Sequence, residues 1–251
     1  GDGMQLTGTQ FTNSAALFGN DLATFPDFPA EIRAPIGTLA GVSGFQIHFG
    51  STRIHTPGDM SHVLVVMNVA ALKANIKNLV KGGVIIANSD GFDSKNMRLA
   101  NVPEDKNPLT DGSLDEYDLK IIDVTKITRA ALTDSGLGVK EIDRCKNMFV
   151  LGLVYWMYNR NMESSIAFVK AKFKKNEAVM NANLKIMQAG WSYGETTEMF
   201  ANRYNVAPAK MEAGVYRSIM GNQAAALGLI AASVKSGLSL FYGTYPITPA
   251  T

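Results

Sequence analysis

Apolar residues recur along this chain in several distinct patterns, and each pattern predicts an element. Between Thr9 and Gly19, Phe11, Ala15 and Phe18 fall at helical spacing, with Gly19-Asn20 as the stop. Leu22 to Phe25 reads as a short strand. Phe25 to Pro35 reads as a proline-punctuated loop, incompatible with regular helix or interior strand. Val42 to Phe49 alternates, with Phe45, Ile47 and Phe49 on one face and Gln46 and His48 on the other; Gly50-Ser51 then predicts a hairpin turn and Thr52 to His55 a returning strand. The unbroken apolar run His62 to Met67 predicts a strand buried on both faces. Val69 to Leu79 carries Leu72, Ile76 and Leu79 in one helical stripe, Lys81-Gly82-Gly83 ends it, and Val84 to Ala87 is a second buried strand. Strand, helix and strand at this spacing form a βαβ unit with a right-handed crossover, which predicts a parallel sheet. Asp93 to Gly112 is polar and reads as a loop, and Leu119 to Val124 as a further strand.

From Lys140 the pattern turns helical. Asp143 to Tyr158 predicts a long apolar helix; Ser164 to Lys175 and Glu177 to Ala189 predict amphipathic helices with lysines on their outer faces. Gly190 to Met220 is less regular and reads as a linker, with a short helix at Glu195 to Arg203. Gly221 to Gly237 reads as a small-residue helix, Leu238 to Tyr242 as a short strand, and Tyr245-Pro246-Ile247-Thr248-Pro249 as a rigid loop. The fold class is α/β, and no internal repeat is present.

Composition narrows this further. With 251 residues and 46% hydrophobic residues the chain can bury a substantial core without disulfide staples. Lys+Arg at 24 against Asp+Glu at 22 is near balance, which argues against a nucleic-acid partner. The one cysteine excludes an internal disulfide and a complete iron–sulfur site, and fits a cytoplasmic setting. No apolar run approaches the roughly 20 residues of a membrane-spanning helix, so no membrane partner is expected. The chain lacks an initiator methionine and starts and stops within motif-like stretches, so it reads as a fragment.

Candidate chemistry is sparse. Gly1, Gly3 and Gly8 form a glycine-rich opening ahead of a helix, where backbone N–H groups and the helix dipole favour a phosphate or carboxylate; tight packing or a subunit contact is the ordinary alternative. Glu31 and Arg33 sit in the proline-bracketed loop, as an exposed ion pair or with Arg33 turned to a ligand anion. His48, His55 and His62 have no carboxylate or cysteine at ligand spacing and read as ordinary strand and turn residues, so no metal is expected. Cys145, between Arg144 and Lys146, reads as a buried thiol, and Tyr155, Trp156 and Tyr158 as packing residues. Thr248 stands between two prolines that fix the backbone on either side and aim its hydroxyl.

Taken together, Gly1 to Gly8, Phe28 to Pro35 and Gly37 to His48 resemble the gamma-type domain of 2-oxoacid:ferredoxin oxidoreductases. Arg144 to Phe149 and Ala189 to Thr197 resemble the 2-oxoglutarate branch, in which a gamma domain is fused ahead of the alpha portion; Gly243 to Pro249 resembles the opening of that portion, a pyrimidine-type thiamine diphosphate domain. The resemblance implies a Rossmann-like gamma domain over 1–190, a linker over 191–220 and the first elements of the thiamine diphosphate domain over 221–251. It implies oxidative decarboxylation of 2-oxoglutarate, or a related 2-oxoacid, to the acyl-CoA with electrons passed to ferredoxin. Thiamine diphosphate with Mg, an iron–sulfur cluster and coenzyme A (CoA) take part, mostly outside this chain and with a partner beta subunit. Thr248 matches the threonine that binds the substrate carboxylate. No catalytic residue falls within the chain, which is expected to be inactive alone; Gly1, Gly3, Gly8 and Arg33 are candidate anion or CoA contacts. A first strand is expected ahead of Gly1. The other reading is a non-catalytic α/β assembly module.

Overall fold

The computed structural model describes residues 2–27, 42–200 and 203–245. They divide into two units, Gly1–Met211 and Glu212–Thr251. The first opens with α1 (Asp2–Leu17), followed by β1 (Asp21–Asp27) and β2 (Gly44–Gly50). These two strands pair antiparallel, Asp21 opposite Gly50 and Asp27 opposite Gly44. Pro26 lies inside β1 opposite Phe45, so the strand extends two residues past its predicted end. A two-stranded pair has a free edge on which a missing N–H costs little.

The predicted return strand at Thr52 to His55 does not form; the partner of β2 is β1. Side chains take the bonds a strand would have used. The Ile54 N–H donates to Asp21 Oδ2 at 2.7 Å, Gln46 Nε2 donates to the carbonyls of Pro57 (2.8 Å) and Gly58, and His48 Nδ1 lies 2.9 Å from the Thr56 carbonyl.

A parallel sheet follows, with β3 (Ser61–Val66), β4 (Leu79–Asn88) and β5 (Asp118–Ile122) in the order β3-β4-β5. The crossover from β3 to β4 contains α2 (Val69–Asn75), capped by Asn68, whose side chain accepts from Ala71 N at 2.8 Å. Lys81-Gly82-Gly83 does not separate helix from strand but lies within β4, where Gly82 takes φ +72° and the pairing register shifts. β4 alternates between two cores: Ile86 packs toward α5, Ile85 and Ala87 toward α2 and α3. β3 is an edge strand and mostly half-buried, not enclosed on both faces as its apolar run predicts.

Two helices form where the pattern predicts none. α3 (Ser94–Leu99) lies in the polar segment after Asp93, whose side chain caps it by accepting from Asn96 N at 2.8 Å. α4 (Val124–Ala131) begins where the last strand was expected to continue. Then come α5 (Val139–Met157), α6 (Glu163–Lys172) and α7 (Glu177–Thr196). From Met148 on, α5 is apolar nearly all round because it is the core helix; Phe149, Leu151, Leu153, Tyr155 and Met157 are fully buried. Each such side chain contributes roughly 1.5–3 kcal/mol relative to exposure.

α7 continues to Thr196, so no separate helix forms at Glu195, and 203–209 is extended and laid against the domain. Tyr204 N donates to the Met157 carbonyl (2.7 Å), Ala209 N to the Gly19 carbonyl (2.8 Å) and Arg203 Nε to the Trp156 carbonyl (2.9 Å). The segment is a strap rather than a free linker.

The second unit contains α8 (Gly221–Ser236), closed by Gly237 in the left-handed conformation at φ +71°. The expected strand at Leu238 to Tyr242 is absent, and hydroxyls of α8 hold Leu238 instead: Ser233 Oγ donates to its carbonyl at 2.5 Å and its N–H donates to Ser236 Oγ at 3.3 Å. No helix among the described residues is long and apolar enough to cross a membrane.

Candidate functional site

Parallel α/β sheets gather ligands at the carboxyl ends of their strands, where the strand order reverses. At that edge stand Asn68, Asn88, Ser89, Asp90 and Asp123. Asn88 is buried and bonded on both sides: Nδ2 donates to Thr125 Oγ1 at 3.3 Å and to the Met67 carbonyl at 3.4 Å, and Oδ1 accepts from Thr125 N at 3.3 Å. Ser89 Oγ donates to Asp123 Oδ1. Gly91 presses against the β3–α2 turn, since a Cβ there would stand 2.0 Å from the Met67 carbonyl oxygen. Nearby, Arg129 and Asp143 form a two-pronged pair at 2.7 Å on each prong. Arg129 holds the Asp143 carboxyl below the usual range, while burial, with Asp123 adding to it, raises the Tyr193 phenol. This edge is closed by its own hydrogen bonds and carries two carboxylates, Asp90 and Asp123. The three strands run in sequential order without reversal, so they open no crevice of the switch-point kind.

Gly3 and Gly8 lie inside α1, not in a loop ahead of it. A Cβ at Gly3 would stand 2.2 Å from Asn147 Nδ2, and one at Gly8 2.1 Å from the Phe45 ring. Both glycines let neighbouring elements approach the helix. Gln5 on the same helix donates to the Asp27 and Gly44 carbonyls at 2.9 and 2.8 Å, joining α1 to β1 and β2. Gly1, Arg33 and Thr248 lie outside the described residues, as does Glu31.

Among the described residues no group of three His, Cys, Asp or Glu side chains is placed to hold a metal. Cys145 is buried, and burial, with Glu141 adding to it, pushes its thiol up to about 11. A lone neutral thiol does not fit an iron–sulfur cluster.

Sequence reasoning missed one buried charge. Arg160, 1% exposed, follows α5 and turns inward, its backbone N–H bonded to the Tyr155 carbonyl at 2.8 Å. Its Nη2 donates to Asn20 Oδ1 at 2.5 Å and to the Val206 carbonyl at 3.3 Å. Its guanidinium lies 3.8 Å from the centre of the Phe18 ring. Asn20 Nδ2 in turn donates to the Ala207 carbonyl at 2.7 Å, so Arg160 and Asn20 together secure the strap. An aromatic cluster of Phe11, Phe49, Tyr155, Tyr158 and Tyr204, with neighbouring ring centres 5.1–5.9 Å apart, joins α1, β2, α5 and the strap. Arg203 is held similarly, its guanidinium 5.2 Å from Trp156 and 5.6 Å from Trp191.

Comparison with known proteins gives this architecture a lineage. Over all 251 residues the chain is 51% identical to the 2-oxoglutarate oxidoreductase subunit KorA of Mycobacterium tuberculosis, and it spans 38% of that protein's length. A 2-oxoglutarate:ferredoxin oxidoreductase from Magnetococcus marinus, solved with 2-oxoglutarate, coenzyme A and succinyl-CoA bound, superposes with a TM-score of 0.64. That match covers 97% of this chain and 36% of the other; at 22% identity it establishes likeness of fold. Residues 1–193 match the model of the family described as pyruvate ferredoxin/flavodoxin oxidoreductase. With that match across most of its length, this chain belongs to the pyruvate ferredoxin/flavodoxin oxidoreductase family.

Proposed function

We propose that this chain is part of a 2-oxoglutarate:ferredoxin oxidoreductase, in which a gamma-type α/β domain (1–190) leads through 191–220 into the first elements of a pyrimidine-type thiamine diphosphate domain (221–251). The observation that carries the reading is 51% identity to the mycobacterial subunit across every residue of the chain. The reaction of the complete assembly converts 2-oxoglutarate and CoA to succinyl-CoA, CO2 and a proton, and an electron pair leaves to ferredoxin. Thiamine diphosphate with Mg supplies the electron sink for decarboxylation, and iron–sulfur clusters carry the electrons; a beta subunit holds most of both.

The second unit supports this division. No residue of α8 is buried, and Leu227, Leu229 and Ile230 are about half exposed. A helix with apolar residues on every side is ordinarily enclosed by further protein. Beyond it, the Thr248 hydroxyl donates to the substrate carboxylate and orients the keto group for attack.

The test uses the complete subunit reconstituted with its beta partner and follows 2-oxoglutarate-dependent viologen reduction. Thr248→Val should lower kcat/KM by roughly 10- to 100-fold, the value of one hydrogen bond to a charged group. Unchanged kinetics would remove Thr248 from the site, and no 2-oxoglutarate-dependent reduction by the unaltered assembly would overturn the reading.

For residues 1–190 a second role, as an assembly module without catalytic groups, is favoured by the closed and acidic edge of the parallel sheet. Calorimetric titration of CoA into the chain separates the two: heat that is lost when Arg33 is replaced by Gln assigns a CoA contact, and no heat leaves assembly.

A further inference from the structure

Among the described residues, Arg160 is a buried cation without a counter-ion. The ion pairs among the described residues join Lys81 to Glu116, Lys120 to Asp118 and Arg129 to Asp143; none reaches Arg160. Its two hydrogen-bond acceptors, an amide and a backbone carbonyl, are neutral. Its Nε is enclosed and has no partner among the described residues. A guanidinium taken from water without a compensating charge costs several kcal/mol, and an enclosed donor left unbonded adds to that cost.

The same side chain lines a cavity of about 270 Å³, shared with Ser14, Phe18, Asn161, Glu163 and Ser164. That volume lies just below the range of drug-sized ligands and suits a small group. The cavity also meets the start of α6, a helix of ten residues. Met162 at its N-cap provides no side-chain acceptor, so the amide groups of the first turn lack the usual cap. A helix start and a guanidinium, converging with two serine hydroxyls, favour a negative charge.

We infer that this cavity binds a small anion, a phosphate or carboxylate group, which supplies the counter-charge that Arg160 lacks. The anion accepts from the guanidinium, from the first-turn amides of α6 and from Ser14 and Ser164. Glu163 is the one acidic group in the lining and opposes the anion; it sets the affinity but does not replace the ligand, since it makes no ion pair with Arg160. The site also couples to the strap, because the guanidinium that would hold the anion also holds Asn20 and the Val206 carbonyl.

The test measures thermal stability of the full chain in inorganic phosphate, in acetate and in chloride at matched ionic strength. Phosphate or acetate should raise the melting temperature above the chloride value, increasing with the logarithm of concentration. The anion with the larger increment identifies the head group. Ser164→Asp places a carboxylate at the start of α6 within the cavity. It should raise the melting temperature in chloride and weaken the apparent affinity for the anion by about tenfold or more. Glu163→Gln keeps the side-chain shape, removes the opposing charge and should tighten anion binding, so the test stands even where Ser164→Asp impairs folding. Equal melting temperatures in all three salts would overturn the inference. So would an increment that survives Ser164→Asp, or one that Glu163→Gln leaves unchanged or weakens.

Discussion

Gly152 on α5 and Gly190 on α7 lie where the two helices touch backbone to backbone. A Cβ on Gly152 would stand 1.9 Å from the Met187 carbonyl oxygen, and one on Gly190 would stand 1.9 Å from that of Phe149. One turn further on, Gly194 faces the Trp156 ring, where a Cβ would come within 2.5 Å. The distance between packed helices is set by the side chains at their contact, and here there are none. This close approach draws α7 down the length of α5 and closes the main core.

Alanine at either glycine should therefore force the helices apart. Gly152→Ala and Gly190→Ala are each expected to cost about 1–3 kcal/mol or more, the range of overpacked cores. Because both relieve or strain the same contact, the double variant should cost less than the sum. Urea denaturation with an unchanged slope, read at its midpoint, measures both effects; independent, additive losses would contradict a shared contact.

Tyr155 carries its hydroxyl into the centre of the domain. It donates to the Gln10 carbonyl at 3.0 Å and lies 2.7 Å from Ser165 Oγ, which itself donates to Gln10 Oε1 at 3.0 Å. Tyr155→Phe keeps the ring and leaves these buried partners short of one bond, so a loss of about 1–3 kcal/mol is expected. Chemical denaturation of Tyr155→Phe, Ser165→Ala and the double variant should show strong coupling between the two positions; simple additivity would place them outside one network.

The Cys145 thiol is raised by burial from 9.0 to about 11 in the folded chain. The folded state holds the thiol proton more tightly, so this stability is complete below 9.0 and is lost as pH climbs toward about 11. The Tyr155 phenol, raised by burial to about 12, adds a further loss above 10.0. Cys145→Ser should flatten the lower part of this alkaline decline, followed as denaturation midpoint against pH. Alkylation of native Cys145 by iodoacetamide at neutral pH should be far slower than that of the unfolded chain.

Asp143 presents the opposite sign. Its bond to Arg129 holds the carboxyl below the ordinary aspartate range, so the pair contributes above that range and its contribution fades as pH falls through the lowered value. Carboxyl-carbon NMR titration should find Asp143 below the ordinary aspartate range and returned toward it in Arg129→Gln. With the Arg129 side chain 54% exposed, salt should diminish the effect on stability.

Much of the α/β layout was legible in the order of residues. β4 and α5 are apolar because they are enclosed, and the short spacing from β3 to β4 permits only a crossover. The misreadings share a cause. Thr52 to His55 and Leu238 to Tyr242 look like strands, but a strand needs a partner, and the bonds they make go to side chains: Asp21 in the first case, Ser233 and Ser236 in the second. Of the candidate site residues, Gly3 and Gly8 lie within a helix and meet Asn147 and Phe45, both distant in the chain. Arg160 carried no signal beyond a charge set between an apolar and an amphipathic helix.

The sequence by itself determined which segments could be strands or helices, the parallel crossover, and the resemblance that led to the family, because hydrophobic periodicity and motif order are local properties. Only the tertiary structure decided that glycines serve as contact surfaces, that the stretch after α7 is a strap, and that one arginine turns inward to a cavity. Those outcomes depend on which groups, remote in the chain, compete for the same hydrogen bonds and the same space, and no local pattern records that competition.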